Sequence, residues 1–191
     1  VRVLVHYKKN RFLLEGLDVE IVDGDVTRPA TVRKAVKDCS VVFDVASAYI
    51  FYPFWEREAK ALYKVNVQGT ENLLDAAMKY KVQRYIHTSS IATIGKRPDG
   101  KPSDEMTGFD FNSASHYARS KYLAEQEVLK FCKKGLPAII LNPAIVIGEV
   151  VLAFPILASF AHAATAGLDP LAAETVKTHG GKRRLALSLA I

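Results

Sequence analysis

The sequence contains little that could form a disulfide scaffold or a metal centre. Its two cysteines, Cys39 and Cys132, lie far apart, and its five histidines form no cluster at ligand spacing. Such scaffolds and centres need several cysteines or closely spaced ligands, so we expect two free thiols and no bound metal. Because free thiols are typical of a reducing compartment, we also expect a cytoplasmic location.

Long apolar runs are also missing. The most apolar stretch, residues 150–167, is interrupted by Pro155 and His162. A membrane-spanning helix needs about 20 consecutive, mostly apolar residues. We therefore predict no membrane span and interpret this stretch as a helix beside the substrate.

Positive charge is in excess but is not continuous along the chain. The 191 residues have a formal net charge of +6. Residues 1–11 carry four basic side chains and residues 177–184 carry another four, with no acid in either segment. Two separate basic segments without a nucleic-acid-binding motif give no indication of a nucleic-acid partner.

Short apolar runs alternate with helical patterns. Valine-rich runs without polar alternation are typical of strands covered on both faces, as in parallel sheets. Apolar residues recur at helical spacing in residues 27–37, 56–81 and 115–134. The alternation predicts an α/β fold with a doubly wound parallel sheet. The predicted strands are residues 2–6, 19–22, 41–45, 82–88 and 137–142.

Tyr117 and Lys121 lie four residues apart, so a helix would project both side chains from one face. A nearby ammonium favours the phenolate and lowers the pKa of a tyrosine from its usual value near ~10. Tyr117 would then be a usable proton donor or acceptor near neutral pH. A surface tyrosine beside a solvated lysine is the alternative that this pair alone leaves open.

Three hydroxyl residues, Thr88, Ser89 and Ser90, follow the predicted strand 82–88. In open α/β sheets, ligands bind at the carboxyl ends of the strands. A serine there could hydrogen-bond a substrate oxygen while Tyr117 moves the proton; alternatively, the hydroxyls cap a turn. The Tyr-x-x-x-Lys pattern that follows favours the catalytic interpretation.

Several motifs occur together in a characteristic order. They are Gly24-Asp25-Val26, Val41-Val42-Phe43-Asp44-Val45-Ala46-Ser47, Asn66-Val67-Gln68-Gly69-Thr70, Thr88-Ser89-Ser90, Tyr117-x-x-x-Lys121 and Leu141-Asn142-Pro143-Ala144. In these motifs the chain resembles extended short-chain dehydrogenases/reductases, the epimerase/dehydratase superfamily, and especially the dihydroflavonol-reductase-like branch. The resemblance implies that Tyr117 is the acid/base and that Lys121 lowers its pKa and binds the nicotinamide ribose. It also implies that Ser90, or as a second candidate Thr88, orients the reacting oxygen.

The resemblance implies a dinucleotide site as well. Asp25 is placed to accept hydrogen bonds from an adenine amino group, or it is simply a turn aspartate. Asn66 would steady the active-site backbone or touch the cofactor, the alternative being a surface asparagine. The expected cofactor-binding residues are Lys8, Arg11, Asp25, Val26, Ala46, Ser47, Ala48, Asn66, Thr88, Tyr117, Lys121, Asn142, Pro143 and Ala144.

The choice of cofactor depends on the residues after the first predicted strand. Enzymes that prefer NAD usually carry an acid there, which binds the ribose 2′-hydroxyl. Residues 6–11 instead hold Lys8, Lys9 and Arg11 and no acid. This segment predicts NADP(H), with NAD possible, and the alternative is a solvated basic loop.

Parts of the family pattern have no counterpart here. The first strand, its glycine-rich turn and the first helix are absent, and no Gly-x-x-Gly-x-x-Gly sequence occurs. We therefore expect residues 1–148 to form a Rossmann-like domain that lacks its central first strand. We expect residues 149–191 to be a short helical remnant of the substrate domain, in a truncated or incomplete chain.

The function expected from these residues is NADP(H)-dependent reduction of a carbonyl, or oxidation of a secondary alcohol, in a small-molecule substrate. An NAD-dependent sugar-nucleotide epimerase or dehydratase is the first alternative, since it uses the same three residues. An inactive remnant that serves as an interaction module is the second. The resemblance also suggests a homodimer formed through the helices at 56–81 and 115–134.

Overall fold

The computed structural model describes residues 1–49 and 56–144, together with the backbone of residues 185–189. Apart from Ala144, they belong to one compact unit formed by Val1–Pro143 and Arg184–Ile191. The expected helix at 150–167 lies outside the described residues.

Six parallel strands form one sheet in the described part of the chain. The sheet order is β2-β1-β6-β3-β4-β5, and every neighbouring pair is parallel. This confirms the predicted Rossmann-like parallel sheet. The strands are β1 (Arg2–Val5), β2 (Glu20–Asp23), β3 (Val41–Asp44), β4 (Arg84–Thr88), β5 (Ala138–Leu141) and β6 (Leu185–Leu189).

The last strand, β6, occupies the central position that was expected to be vacant. Ala186 lies opposite Arg2 of β1, and Leu185 lies opposite Val41 of β3. Residues 185–189 are thus strand, which corrects the expectation of a wholly helical segment from residue 149. The physical reason is that a gap between β1 and β3 would leave two rows of backbone groups unpaired.

The helices confirm the predicted ones to within a few residues at each end. Helix α1 is Pro29–Val36, with the proline tolerated in its first turn. Helices α2 (Glu56–Tyr63) and α3 (Thr70–Lys79) are joined by a π-helical segment, Lys64–Gly69. Helix α4 is His116–Lys133. Two 3-10 turns, Lys8–Leu14 and Ile91–Thr93, were not predicted.

The core lies where one face of the sheet packs against α1, α3 and α4. This packing fixes α4, and therefore Tyr117 and Lys121, relative to the ends of the strands. The fully buried aliphatic side chains include Val42 of β3, Val32 and Val36 of α1, Leu74 of α3 and Val128 of α4.

Three further observations concern the described residues alone. None of their helices combines the length and apolar character that crossing a membrane requires. They contain no group of three or more His, Cys, Asp or Glu side chains arranged to hold a metal ion. Cys39 and Cys132 are both free thiols.

Candidate active site

Tyr117 and two serines meet at the carboxyl edge of the sheet. Tyr117 lies in the first turn of α4, which begins where Ser115 Oγ accepts the Ala118 N–H at 3.2 Å. The Ser90 and Ser47 side chains lie close enough to the Tyr117 hydroxyl for hydrogen bonding with them to lower its pKa. Ser90 follows β4 and Ser47 follows β3, so two adjacent strands each bring a hydroxyl to one phenol.

Ser90 caps a turn and also lies beside Tyr117. Its Oγ accepts the Ala92 N–H at 3.1 Å and so caps the 3-10 turn Ile91–Thr93. The same side chain lies within hydrogen-bonding reach of Tyr117. Capping therefore fixes the serine in place without removing it from the candidate site.

The pKa of Tyr117 is raised, and burial is the main cause. The neighbouring Tyr49 raises it further, whereas hydrogen bonds with Ser90 and Ser47 lower it and offset part of the shift. The direction of the shift is opposite to the expected one, and Lys121 is not among its causes, so a lowering of the Tyr117 pKa by Lys121 stays a prediction. Because the pKa lies above 10, the phenol is protonated at neutral pH.

Lys121 is held by the backbone of β4. It is 1% exposed, and its Nζ donates a hydrogen bond to the Thr88 carbonyl oxygen at 2.6 Å. Burial lowers the pKa of Lys121, while the carboxylates of Asp44 and Glu125 favour its charged form and raise it. The ammonium is thus fixed within the protein interior, one helical turn from Tyr117.

A buried carboxylate lies close to Lys121. Asp44 Oδ2 accepts hydrogen bonds from Thr70 Oγ1 at 3.0 Å, Tyr85 OH at 2.8 Å and His87 Nδ1 at 2.8 Å. A carboxylate only accepts, so His87 Nδ1 carries the proton. Burial opposes the charge on Asp44, but the His87 and Tyr85 bonds and the Lys121 charge outweigh it and lower its pKa.

His87 is neutral in this cluster. Burial lowers its pKa, and the hydrogen bond and negative charge of Asp44 offset this only in part. The pKa values of Asp44 and His87 are both lowered, as expected for a neutral imidazole that donates a hydrogen bond to an ionised carboxylate. The cluster therefore adds one buried negative charge beside Lys121.

Glu125 and Asn142 support the segment that carries Ser90. Glu125 Oε1 accepts hydrogen bonds from Ser89 Oγ, from Thr93 Oγ1 at 2.8 Å and from Asn142 Nδ2 at 2.7 Å. Asn142 Nδ2 also lies 3.2 Å from the Ser90 carbonyl oxygen. The structure thus places Asn142 behind the Ser90 turn.

Pro143 and Ala144 follow Asn142 at the end of β5. The Pro143 carbonyl oxygen accepts the Ile91 N–H at 3.0 Å, which adds a backbone tie to the Ser90 turn. Ala144 is exposed.

Asn66 joins the loop after β3 to α4. It is fully buried within the π-helical segment, and its Oδ1 accepts the Ala48 N–H at 2.7 Å. Its Nδ2 donates to the Ala48 carbonyl oxygen at 3.0 Å and to Ser120 Oγ at 2.9 Å. π-Helical turns are frequent at functional sites. The Asn66 side chain thus ties Ala48 to α4, and its burial excludes the alternative of a surface asparagine.

A cavity of about 290 Å³ lies beside this cluster. That volume is at the lower limit of small-molecule sites, about 300 Å³. Asp25 is on its wall, and Asp25 Oδ1 also accepts the Thr27 N–H at 2.8 Å, as a turn aspartate does. The cavity is lined by Leu4, His6, Tyr7, Gly24, Asp25, Val26, Thr27, Ser47, Ala48, Ala61, Lys64 and Val65.

Ten of the fourteen expected cofactor-binding residues do not line this cavity, among them Lys8, Arg11, Ala46 and Thr88. Lys8 is exposed. Arg11 Nη2 donates to Asp23 Oδ1 at 2.6 Å, and this bond lowers the Asp23 pKa. Ala46 is packed in the core. The Thr88 hydroxyl is buried with no hydrogen-bond partner among the described residues, and its carbonyl oxygen binds Lys121.

Three contributors to the site escaped the sequence analysis. Glu125 follows Lys121 by four residues, so the helical spacing that paired Tyr117 with Lys121 also placed it on that face. Asp44 is an acid that ends an apolar strand, which is a signal for a buried, partnered charge. His87 has no such signal, because its partner comes from a neighbouring strand.

A comparison with protein-family models identifies the family. The model described as the NAD dependent epimerase/dehydratase family matches residues 1–179. The chain belongs to this family. This confirms the resemblance drawn from the sequence motifs.

Curated relatives include reductases and sterol dehydrogenases. A Synechocystis sp. protein named "Putative dihydroflavonol 4-reductase" is 35% identical over 149 residues, which cover 78% of this chain and 42% of that protein. Sterol demethylase protein B of Methylococcus capsulatus is 30% identical, with 78% and 44% covered. The 3 beta-hydroxysteroid dehydrogenase type 7 of Mus musculus is 33% identical, with 70% and 38% covered. The chain spans less than half the length of these relatives.

Solved structures confirm the fold. The crystal structure of gox2253 is 35% identical with a TM-score of 0.70, and the match covers 87% of this chain and 51% of that one. The Bordetella bronchiseptica enzyme WbmG, in complex with NAD and UDP, is 20% identical with a TM-score of 0.67. That match covers 99% of this chain and 64% of WbmG. At this identity it shows the fold alone.

Proposed function

We propose that this chain carries the acid/base site of an NADP(H)-dependent oxidoreductase that reduces a carbonyl or oxidises a secondary alcohol. The observation that supports this most is the arrangement of the Tyr117 hydroxyl with the Ser90 and Ser47 side chains at the carboxyl edge of the sheet. A protonated phenol is the form needed to deliver a proton to a carbonyl oxygen. In this proposal Tyr117 is the proton donor and Ser90 holds the reacting oxygen.

Lys121 supports the same step with its charge. Its ammonium is fixed on the Thr88 carbonyl oxygen, and the carboxylates of Asp44 and Glu125 favour the protonated form. A buried positive charge one helical turn from Tyr117 would stabilise negative charge that develops on the phenol oxygen. We further propose that Lys121 binds the nicotinamide ribose, as the family resemblance implies.

The residues around the cavity fit the nucleoside end of a dinucleotide. Asp25 offers acceptors for an adenine amino group, and the small side chains of Ser47 and Ala48 leave room for a ligand close to the backbone. When bound, the nicotinamide would supply the hydride. The preference for NADP(H) is supported by the basic segment with Lys8 and Arg11, although Asp23 already engages Arg11.

The proposed role of Tyr117 as proton donor can be tested by enzyme kinetics. NADPH consumption is measured with a panel of ketones and aldehydes for the wild-type chain and for Tyr117→Phe. Loss of a positioned acid predicts that kcat/KM falls by about 10²–10⁴-fold in Tyr117→Phe while NADPH still binds. Equal activity in the two proteins, or an inactive folded wild type, would contradict the proposal.

The same assay distinguishes a reductase from an epimerase or dehydratase, the alternative that the family's name supports. An epimerase recycles a tightly bound cofactor, whereas a reductase consumes free NADPH. Cofactor released on denaturation of the purified protein, without net NADPH consumption, would favour the alternative.

A further inference from the structure

A single carboxylate oxygen connects the three elements around Ser90. Glu125 Oε1, on α4, accepts from Ser89 after β4, from Thr93 in the 3-10 turn and from Asn142 after β5. Ser89 and Thr93 are each 5% exposed. Bonds to a charged acceptor are about twice as strong as neutral ones.

Two of the three residues that bind Glu125, Thr93 and Asn142, also bind the Ser90 backbone. The Ser90 carbonyl oxygen lies 2.8 Å from Thr93 Oγ1 and 3.2 Å from Asn142 Nδ2. Thr93 Oγ1 is also 2.8 Å from Glu125 Oε1, so its one proton is shared between these two acceptors. Ser90 is therefore enclosed by side chains that are themselves oriented by Glu125.

Helix α4 carries both ends of this arrangement. Tyr117 in its first turn lies beside Ser90, and Glu125 lies two turns further along. The Ser90 turn is thus attached to one helix at two points. If the Glu125 contacts are lost, only the contact between Ser90 and Tyr117 still attaches the turn to α4.

We propose that Glu125 is a positioning residue that fixes Ser90 against Tyr117 by gathering the Ser89, Thr93 and Asn142 side chains on one oxygen. This inference rests on the proposed function, in which Ser90 holds the reacting oxygen. Glu125 itself touches no reacting atom in this proposal. Its positioning effect passes through Ser90 and is separate from the negative charge with which it favours the protonated form of Lys121.

The kinetic test is a double-mutant cycle. Glu125→Ala removes the acceptor and is expected to lower kcat towards the value of Ser90→Ala, by up to about 10²-fold, with KM for NADPH unchanged. The double variant Glu125→Ala/Ser90→Ala is expected to be no slower than Ser90→Ala. Glu125→Gln keeps an acceptor oxygen and should recover most of kcat, and Glu127→Gln is the surface control on the same helix.

A second readout does not need turnover. Because the Ala92 amide donates to Ser90 Oγ, its hydrogen exchange is expected to accelerate in Glu125→Ala and to stay unchanged in Glu127→Gln. Additive kcat losses in the double variant, or unchanged Ala92 exchange, would overturn the inference. An inactive wild type with the expected exchange pattern would overturn the proposed function and leave the positioning role supported.

Discussion

The two halves of the proposed site, one catalytic and one for the nucleotide, are built in different ways. The catalytic half comprises Tyr117, Lys121 and the residues after β3, β4 and β5, whose polar groups are buried and bonded to one another. The nucleotide half comprises the cavity and the basic segment after β1, where the ion pair of Arg11 with Asp23 is exposed. The difference teaches that acid/base geometry is set by the protein's own contacts, whereas the nucleotide half leaves its surface open to a ligand.

The largest expected effect comes from breaking the interior of the catalytic half. Asp44→Ala leaves the buried donors of Thr70, Tyr85 and His87 without their acceptor. Removal of one member of a buried pair costs about 3–5 kcal/mol. The free energy of unfolding, measured in urea at pH 7, should fall by that order.

The matched control lies in the nucleotide half. Asp23→Ala removes an exposed carboxylate whose partner, Arg11, is also exposed. Exposed ion pairs contribute little to stability, so no measurable change in the urea midpoint is expected. Similar losses in both variants would show that the two halves do not differ as described.

A smaller effect on stability is expected where the two halves meet, at the contact of Gly69 with Val26. A Cβ on Gly69 would lie 2.8 Å from Cγ2 of Val26, a residue of the cavity wall. Overpacking of this kind costs about 1–3 kcal/mol. Gly69→Ala should lower both the melting temperature and NADPH affinity, whereas Gly108→Ala, where a Cβ meets no neighbour within 4 Å, should change neither.

The pH dependence of stability should come first from the catalytic half. The folded-state pKa of His87 lies below 6.5, so between that pKa and 6.5 the unfolded chain binds a proton that the folded chain does not. Stability therefore decreases as pH falls below 6.5. The lowered pKa of Asp44 adds a further loss below 3.8.

Urea midpoints at pH 7, 6 and 5 measure this effect. A folded His87→Asn variant should show a flatter profile than the wild type across this range. A wild-type midpoint that stays constant or rises on acidification would contradict a neutral, buried His87.

The smallest expected effect is on cofactor preference. Arg11→Gln removes a positive charge from the basic segment, but Asp23 already neutralises much of that charge. NADPH affinity should decrease by a few-fold and NADH affinity should not change. Calorimetric titration of both cofactors measures this. An equal decrease in the affinities for NADPH and NADH would show that Arg11 does not contact the 2′-phosphate.

The sequence was informative where a signal is local. The valine-rich runs and the helical spacing predicted the strands and helices, and the Tyr117–Lys121 spacing located the first turns of α4. It failed where the cause is tertiary. The central place of residues 185–189 depends on pairing with strands more than 140 residues earlier, and the raised Tyr117 pKa depends on burial and on the neighbouring Tyr49.

The site residues illustrate the same limit. Asn66 and Asn142 were predicted from motifs, yet the bonds that define their roles come from other elements of the fold. The Asp44–His87 pair joins neighbouring strands whose register no local pattern specifies. Such contacts depend on the topology of the sheet. A single sequence indicates that topology only through its alternation of predicted strands and helices.

The most direct test of this account is a calorimetric titration of NADPH into the wild-type chain, Tyr117→Phe and Ala61→Trp. Ala61 is exposed and lines the cavity, so a tryptophan there should block the nucleotide half without disturbing the core. The account predicts that wild type and Tyr117→Phe bind NADPH alike and that Ala61→Trp does not bind it. A folded wild type that fails to bind NADPH, or an Ala61→Trp variant that binds it as wild type does, would contradict the account.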